Sequence, residues 1–107
     1  MKRKEDINKE CGKRLKDLLN EREIKQYAFA EMVYCSSAYI SNIIKGKKPL
    51  TIENAINFSK VLKVRYEYLL CEDDFKTEHE IRHFYARGID SEYQLIIQLL
   101  EIHIAIQ

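Results

Sequence analysis

Two stretches of the 107-residue chain set reactive or hydrogen-bonding side chains at spacings that could do chemistry. The first is His79-Glu80-Ile81-Arg82-His83, which spells HExxH. On a helix its two histidines share a face and could hold Zn²⁺, with Glu80 as general base for hydrolysis. Three features weigh against that reading. The 29 residues from His79 to Gln107 are too few for a cleft and a substrate strand. Arg82 puts a cation between the ligands, and Asp90, Glu92, Glu101 and His103 offer no fixed third ligand. Two ligands without a third rarely make a closed or catalytic site. Solvated histidines on an acidic helix explain the string more cheaply, so no metal, no cofactor and no enzymatic activity are expected. A metal-dependent hydrolase is kept only as an alternative.

The second stretch runs from Ser36 to Lys48. At 100° per residue, Ser37, Ala38, Ser41, Asn42 and Lys45 fall within one arc of about 140°, and Ile40, Ile43 and Ile44 fall opposite. One side is greasy and turns inward; the other is small, polar and ends in a cation. That face is too short-chained to be a salt-bridged solvent face, which normally shows Glu and Lys. It is narrow enough to enter a B-DNA major groove, about 12 Å wide. Serine can bond several base edges, asparagine can pair bidentately with adenine, and alanine can touch a thymine methyl. Ser36, Ser37, Ala38, Ser41 and Asn42 are therefore the candidate base readers. Gln26, Tyr39, Lys45, Lys47 and Lys48 surround them with groups suited to phosphate, contacts that fix register while base contacts specify sequence.

The elements that must position these residues are helical. The chain holds three Gly and one Pro, with 46% hydrophobic and 33% charged residues, which favours an all-α fold over a sandwich or barrel and argues against disorder. Leu15, Leu18, Leu19 and Arg22 recur at helical spacing in a first segment from about Lys9 to Glu23. A second begins near Gln26 with Phe29, Met32 and Val33 as its apolar face. A third spans Ser37 to Lys45 and stops at Gly46. Thr51 is a plausible N-cap for a fourth helix through Leu62, whose inward residues include Ile52, Ala55, Ile56, Phe58 and Leu62. A short fifth helix carries Tyr68 and Leu69. Beyond an acidic run at Cys71-Glu72-Asp73-Asp74, a further helix spans about Glu78 to Arg87, and Asp90 or Ser91 could cap a last one.

The net charge of +1 conceals a division. Residues 1–70 hold 15 Lys+Arg and 9 Asp+Glu, whereas residues 71–107 hold 3 and 8. A basic front suits a polyanion, and an acidic back suits a part that does not touch it. The longest charge-free stretch, Met32 to Ile44, is 13 residues, too short for a bilayer. The basic N-terminus lacks the apolar core of a signal peptide. A soluble, cytoplasmic protein without a membrane partner is expected. Cys11, Cys35 and Cys71 are odd in number, far apart and without a CxxC pair, so reduced, partly buried thiols are expected rather than a disulfide framework or zinc knuckle.

From about Lys13 to Leu70 the chain resembles the phage-repressor-like (Cro/repressor, XRE-type) helix-turn-helix family. The resemblance is carried by Leu15-Lys16-Asp17-Leu18, by Ile24-Lys25-Gln26 leading into Phe29-Ala30-Glu31, and by Ser36-Ser37-Ala38-Tyr39-Ile40-Ser41-Asn42-Ile43-Ile44-Lys45-Gly46-Lys47. Ala55 to Val64 and Tyr68-Leu69-Leu70 complete it. It implies a five-helix, lambda-repressor-like domain, usually dimeric, that binds specific double-stranded DNA, mostly as a repressor. By position it makes Gln26 a phosphate contact, Ser36, Ser37, Ala38 and Asn42 base readers, and Tyr39, Lys45 and Lys47 backbone contacts. Three departures stand out. Tyr34 and Glu23 occupy places where the family usually has glycine, and Leu19 and Ile44 replace an Arg–Glu pair joining helices one and three.

From Ser91 to Gln107 ten of 17 residues are apolar or aromatic. Burial against a second copy is the simplest use of such a segment, since twofold dimers dominate homo-oligomers; folding back on the core is the alternative. Leu95, Ile96, Leu99, Leu100, Ile102 and Ile106 are the candidate dimer contacts. The expected organisation is a DNA-binding domain over residues 1–70, an acidic linker over 71–78, and a C-terminal helical dimerisation extension over 79–107. The expected function is a homodimeric repressor at a palindromic operator, with room for an unidentified protein effector. A protein-binding module of the same shape is the alternative from another class.

Overall fold

Glu5 and Asp6 place carboxylates in the first turn of a helix, where they meet the positive end of its dipole. In the computed structural model, which describes residues 3–88 and Leu100, the helix accordingly begins at Lys4, earlier than its apolar spacing suggests. The elements are α1 (Lys4–Glu21), α2 (Gln26–Met32), α3 (Ser37–Ile44), α4 (Ile52–Leu62), α5 (Tyr66–Leu69) and α6 (Glu78–Gly88). All regular structure among the described residues is helical. The chain divides into two compact units, Met1–Lys76 and Thr77–Gln107. The first holds α1 to α5, as expected of a five-helix domain; the second holds α6.

Leu15, Leu18 and Leu19 of α1, Phe29 of α2, Ile40 and Ile43 of α3, Phe58 and Leu62 of α4 and Leu69 of α5 share one buried core. Phe29 and Phe58 meet edge to face, with ring centroids 5.0 Å apart and planes at 74°. Such a pair adds about 0.5–1.5 kcal/mol to what burial alone supplies. Some residues read as inward lie outside. Met32, at the end of α2, is 48% exposed, and Ile52, in the first turn of α4, is 63% exposed. Apolar spacing marks a stripe but not how far along a helix its neighbours reach. Among the described residues no helix is long and apolar enough to cross a membrane.

Helix ends in this glycine-poor chain are made by hydrogen bonding. After α1, Glu23 N–H donates to Asn20 O and Ile24 N–H to Leu19 O, at 3.1 and 2.9 Å. The same pair of reversed bonds ends α2 at Tyr34 and Cys35, α3 at Gly46 and Lys47, and α5 at Cys71 and Glu72. This arrangement requires a left-handed residue at each corner. Only one of these is glycine, Gly46 at φ +75°; Glu23, Tyr34 and Cys71 take φ of +55°, +59° and +62°. Lys63 does the same after α4 at φ +56°. The turn at Tyr34 therefore keeps the geometry that glycine usually supplies.

The acidic run is bonded to the first unit as far as Lys76. Asp74 pairs with Arg14 at 2.6 Å, and Asp73 takes a hydrogen bond from Arg65 at 2.8 Å. That bond holds the Asp73 carboxyl below its usual range. Two guanidinium groups thus hold a stretch whose charge alone resembles a linker. In the second unit, Thr77 caps α6 by accepting from Glu80 N–H at 3.2 Å.

α1 and α3 touch at the backbone. A Cβ at Gly12 would lie 2.5 Å from the Ile44 carbonyl oxygen, and one at Gly46 would lie 2.7 Å from Lys9 Cγ. Gly12→Ala should therefore cost about 2–4 kcal/mol by forcing the two helices apart, although alanine favours an isolated helix by about 1 kcal/mol. Lys63→Gly should have the opposite sign, adding about 0.5–1 kcal/mol by relieving a left-handed side chain. Urea unfolding midpoints of both variants against the parent chain check the pair of signs.

Candidate nucleic-acid interface

Ser36 precedes α3 in an extended conformation, and its hydroxyl oxygen accepts the Tyr39 backbone N–H at 3.1 Å. An N-cap of this kind stabilises a helix start by about 1 kcal/mol, and it leaves the Ser36 O–H free to donate elsewhere. From that fixed start, Ile40 and Ile43 turn fully inward, each 0% exposed. Ser37, Ala38 and Lys45 are exposed and Ser41 and Asn42 half-buried, so these five share the outward arc. Ser36 is exposed beside them.

The far end of α3 is equally determined. The Asn42 carbonyl accepts Lys47 N–H at 2.9 Å and Lys48 N–H at 3.3 Å. The loop through Gly46 is thereby folded back, with Lys45, Lys47 and Lys48 all exposed around it. Gln26 is exposed at the first position of α2, behind an N-cap, Lys25, that makes no side-chain cap. A cleft of about 150 Å³ lies beside it, with Lys16, Asn20, Lys25 and Gln26 as its polar lining. Leu19 and Ile44 line the same cleft, so an apolar wall stands where the family resemblance would put an ion pair. Tyr39 is half-buried, and its hydroxyl accepts from Asn54 Nδ2 at 2.6 Å. Its own proton remains available to an acceptor such as a phosphate oxygen.

Two residues that sequence reasoning passed over set this geometry. Asn54 anchors Tyr39, and Asn57 Nδ2 donates to the Val33 carbonyl at 3.0 Å, fastening α4 to the end of α2 just before the Tyr34 corner. Both lie on α4, three residues apart and so on one side of it.

Other candidate residues fall elsewhere. His79 and His83 stack on one face of α6 with ring centroids 6.3 Å apart. Among the described residues no group of three or more His, Cys, Asp or Glu side chains could hold a metal ion. Asp90, Glu92, Glu101 and His103 lie outside the described residues, as do the expected last helix and the dimer candidates Leu95, Ile96, Leu99, Ile102 and Ile106. Leu100 is helical and 57% exposed.

Residues 15–69, about half of the chain, match the helix-turn-helix family. The chain is also 31% identical over 71 residues to the HTH-type transcriptional regulator RamB of Mycobacterium tuberculosis, in strains CDC 1551 / Oshkosh and ATCC 25618 / H37Rv. That similarity covers 66% of this chain and 15% of each relative, so the chain spans a small part of the curated relatives it matches.

Asn57→Ala should cost about 1–2 kcal/mol, because the Val33 carbonyl loses a charge-neutral but well-placed donor. Tyr39→Phe should cost less, about 0.5–1.5 kcal/mol, by removing the acceptor for Asn54. Chemical unfolding of the two variants and of Asn54→Ala checks the order, and the Tyr39 and Asn54 losses should not add in the double variant.

Proposed function

The chain belongs to the helix-turn-helix family, and we propose that it is a sequence-specific DNA-binding transcriptional regulator, a homodimeric repressor acting in the cytoplasm on a palindromic operator. The observation that carries this reading is the outward face of α3: small and polar along its length, cationic at its end, and held by two fully buried isoleucines. Such a face has the width and donor–acceptor character for the major groove. Ser36, Ser37, Ala38, Ser41 and Asn42 would read base edges, and Gln26, Tyr39, Lys45, Lys47 and Lys48 would position the protein on phosphates. No reaction is needed, since occlusion of a promoter suffices. The family is one of binding domains rather than enzymes.

The apolar C-terminal segment supports the dimer. Leu95, Ile96, Leu99, Leu100, Ile102 and Ile106 are proposed to pack against their copies in a twofold arrangement. Symmetry would then set two α3 helices about 34–36 Å apart, one turn of duplex. An acidic run clasped by Arg14 and Arg65 lowers the repulsion that a duplex would otherwise meet from residues 71–76.

Selection of bound fragments from genomic DNA should recover a two-half-site sequence, and the solution mass should be twice that of the chain. On that operator, Asn42→Ala should cost about 1–3 kcal/mol and relax discrimination at one base position. Lys47→Ala should weaken all sequences alike and reduce the slope of log affinity against log salt by about one. Salt-independent or undetectable duplex binding would overturn the reading in favour of a protein-binding module. Identical behaviour of the two variants on all sequences would overturn the assignment of roles.

A further inference from the structure

Cys11 on α1 and Cys71, just past α5, are 60 residues apart in sequence, yet their Sγ atoms lie 3.3 Å apart. Both are free thiols, Cys11 buried at 4% exposure and Cys71 half-buried. The backbone around Cys71 is committed to this placement. Cys71 sits at φ +62°, a left-handed corner where a side chain costs about 1–2 kcal/mol more than glycine would. Arg14, one turn along α1 from Cys11, donates to the carbonyls of Tyr68 and Asp73 at 2.8 and 2.6 Å. Its guanidinium also lies 4.5 Å above the Tyr68 ring. These contacts clamp the segment on both sides of Cys71 against α1, so the two sulfurs are held in register.

We propose that Cys11 and Cys71 form an oxidant-responsive dithiol that closes to an intramolecular disulfide when it meets a hydroperoxide. Bringing the sulfurs from 3.3 Å to bonding distance, about 2.0 Å, needs side-chain rotation and small adjustment rather than unfolding. The thiolate of the pair attacks one oxygen of ROOH; the O–O bond breaks, ROH leaves with a proton, and the sulfur is oxidised to a sulfenic acid. The remaining thiol sulfur then attacks that sulfur. The S–S bond forms, the S–O bond breaks, and the hydroxyl departs as water with the thiol proton. The sum is two thiols and one hydroperoxide giving one disulfide, ROH and water.

The surroundings favour the first step. The thiol of Cys71 bonds to the Cys11 sulfur and Arg14 is nearby, so the Cys11 thiol is held below its ordinary value while Cys71 is pushed up. Burial and the Glu10 carboxylate oppose this at Cys11 but do not reverse it. Cys35 is an internal contrast. Its sulfur meets the Val33 carbonyl at 3.6 Å rather than another thiol among the described residues, and burial pushes its thiol up. The disulfide would close a loop over most of the helical domain and so restrict the unfolded chain strongly.

The test uses the full chain, freed of reductant and treated with hydrogen peroxide, then alkylated and mapped without reduction. Before alkylation the expected product is lighter by about 2 Da, the two hydrogens lost in disulfide formation. It carries a Cys11–Cys71 linked peptide and leaves Cys35 open to alkylation. Its Tm should rise by about 10 °C, and dithiothreitol should return both mass and Tm. Cys35→Ser should behave as the parent, whereas Cys71→Ser should lose the mass change. Three alkylatable thiols after treatment would overturn the proposal, as would sulfinic acid at a single cysteine or a link that includes Cys35. The peptide map of the parent chain decides the matter even where a variant fails to fold, and none of these readouts involves DNA.

Discussion

A glycine at position 12 lets the backbone of α1 rest against the last carbonyls of α3, and the placement of the exposed helix face follows from that contact. Atom-to-atom repulsion rises steeply at such distances, so the contact acts as a stop along the axis of α3, where side-chain packing alone would allow some slip. Rotation about that axis is set separately, by Ile40 and Ile43 in the core. Gly46 repeats the device one step on, bringing the loop that carries Lys47 and Lys48 down onto Lys9. Two small residues and two branched ones therefore fix where a row of serine, alanine and asparagine side chains stands.

The corners of the domain apply the same economy to the backbone. Reversed hydrogen bonds terminate α1, α2, α3 and α5; glycine supplies the left-handed residue after α3, whereas Glu23, Tyr34 and Cys71, which carry side chains, supply it after the other three. Each such residue costs on the order of 1 kcal/mol, which the satisfied carbonyls and the tight turn offset. At Tyr34 the corner also sets the angle between α2 and α3. The Asn57 amide on the Val33 carbonyl keeps that corner from fraying. A tyrosine that is 95% exposed shows that the backbone, not the side chain, is what the turn requires.

Much of this was legible from residue types. The third helix announced itself through Ser36 as a cap, isoleucines at helical spacing and Gly46 as a stop, and the fourth through Thr51. The helix expected over about Glu78 to Arg87 corresponds to α6. The start of α1 is hard to read because its first turns carry no apolar stripe, with Ile7 standing alone, and Glu5 and Asp6 suit a helix terminus only in hindsight of where it lies. Met32 and Ile52 misled because periodicity records direction and not reach. The acidic run read as a connector because charge alone cannot reveal that Arg14 and Arg65 stand ready to receive it across sequence separations of 60 and 8 residues. The anchoring roles of Asn54 and Asn57, and the meeting of Cys11 with Cys71, were illegible for the same reason: each depends on a distant partner.

The clasped acidic run has a further consequence. On α1, Arg14 points about 160° away from Gly12, the residue that meets α3. The carboxylates of Asp73 and Asp74 are gathered on Arg65 and Arg14, on the side of α1 turned from α3, while Lys45, Lys47 and Lys48 lie at its tip. With those two carboxylates each held by a guanidinium, the exposed lysines around Gly46 form a cationic patch that the acidic run does not cancel. A chain whose net charge is only +1 can thus still present a local positive surface.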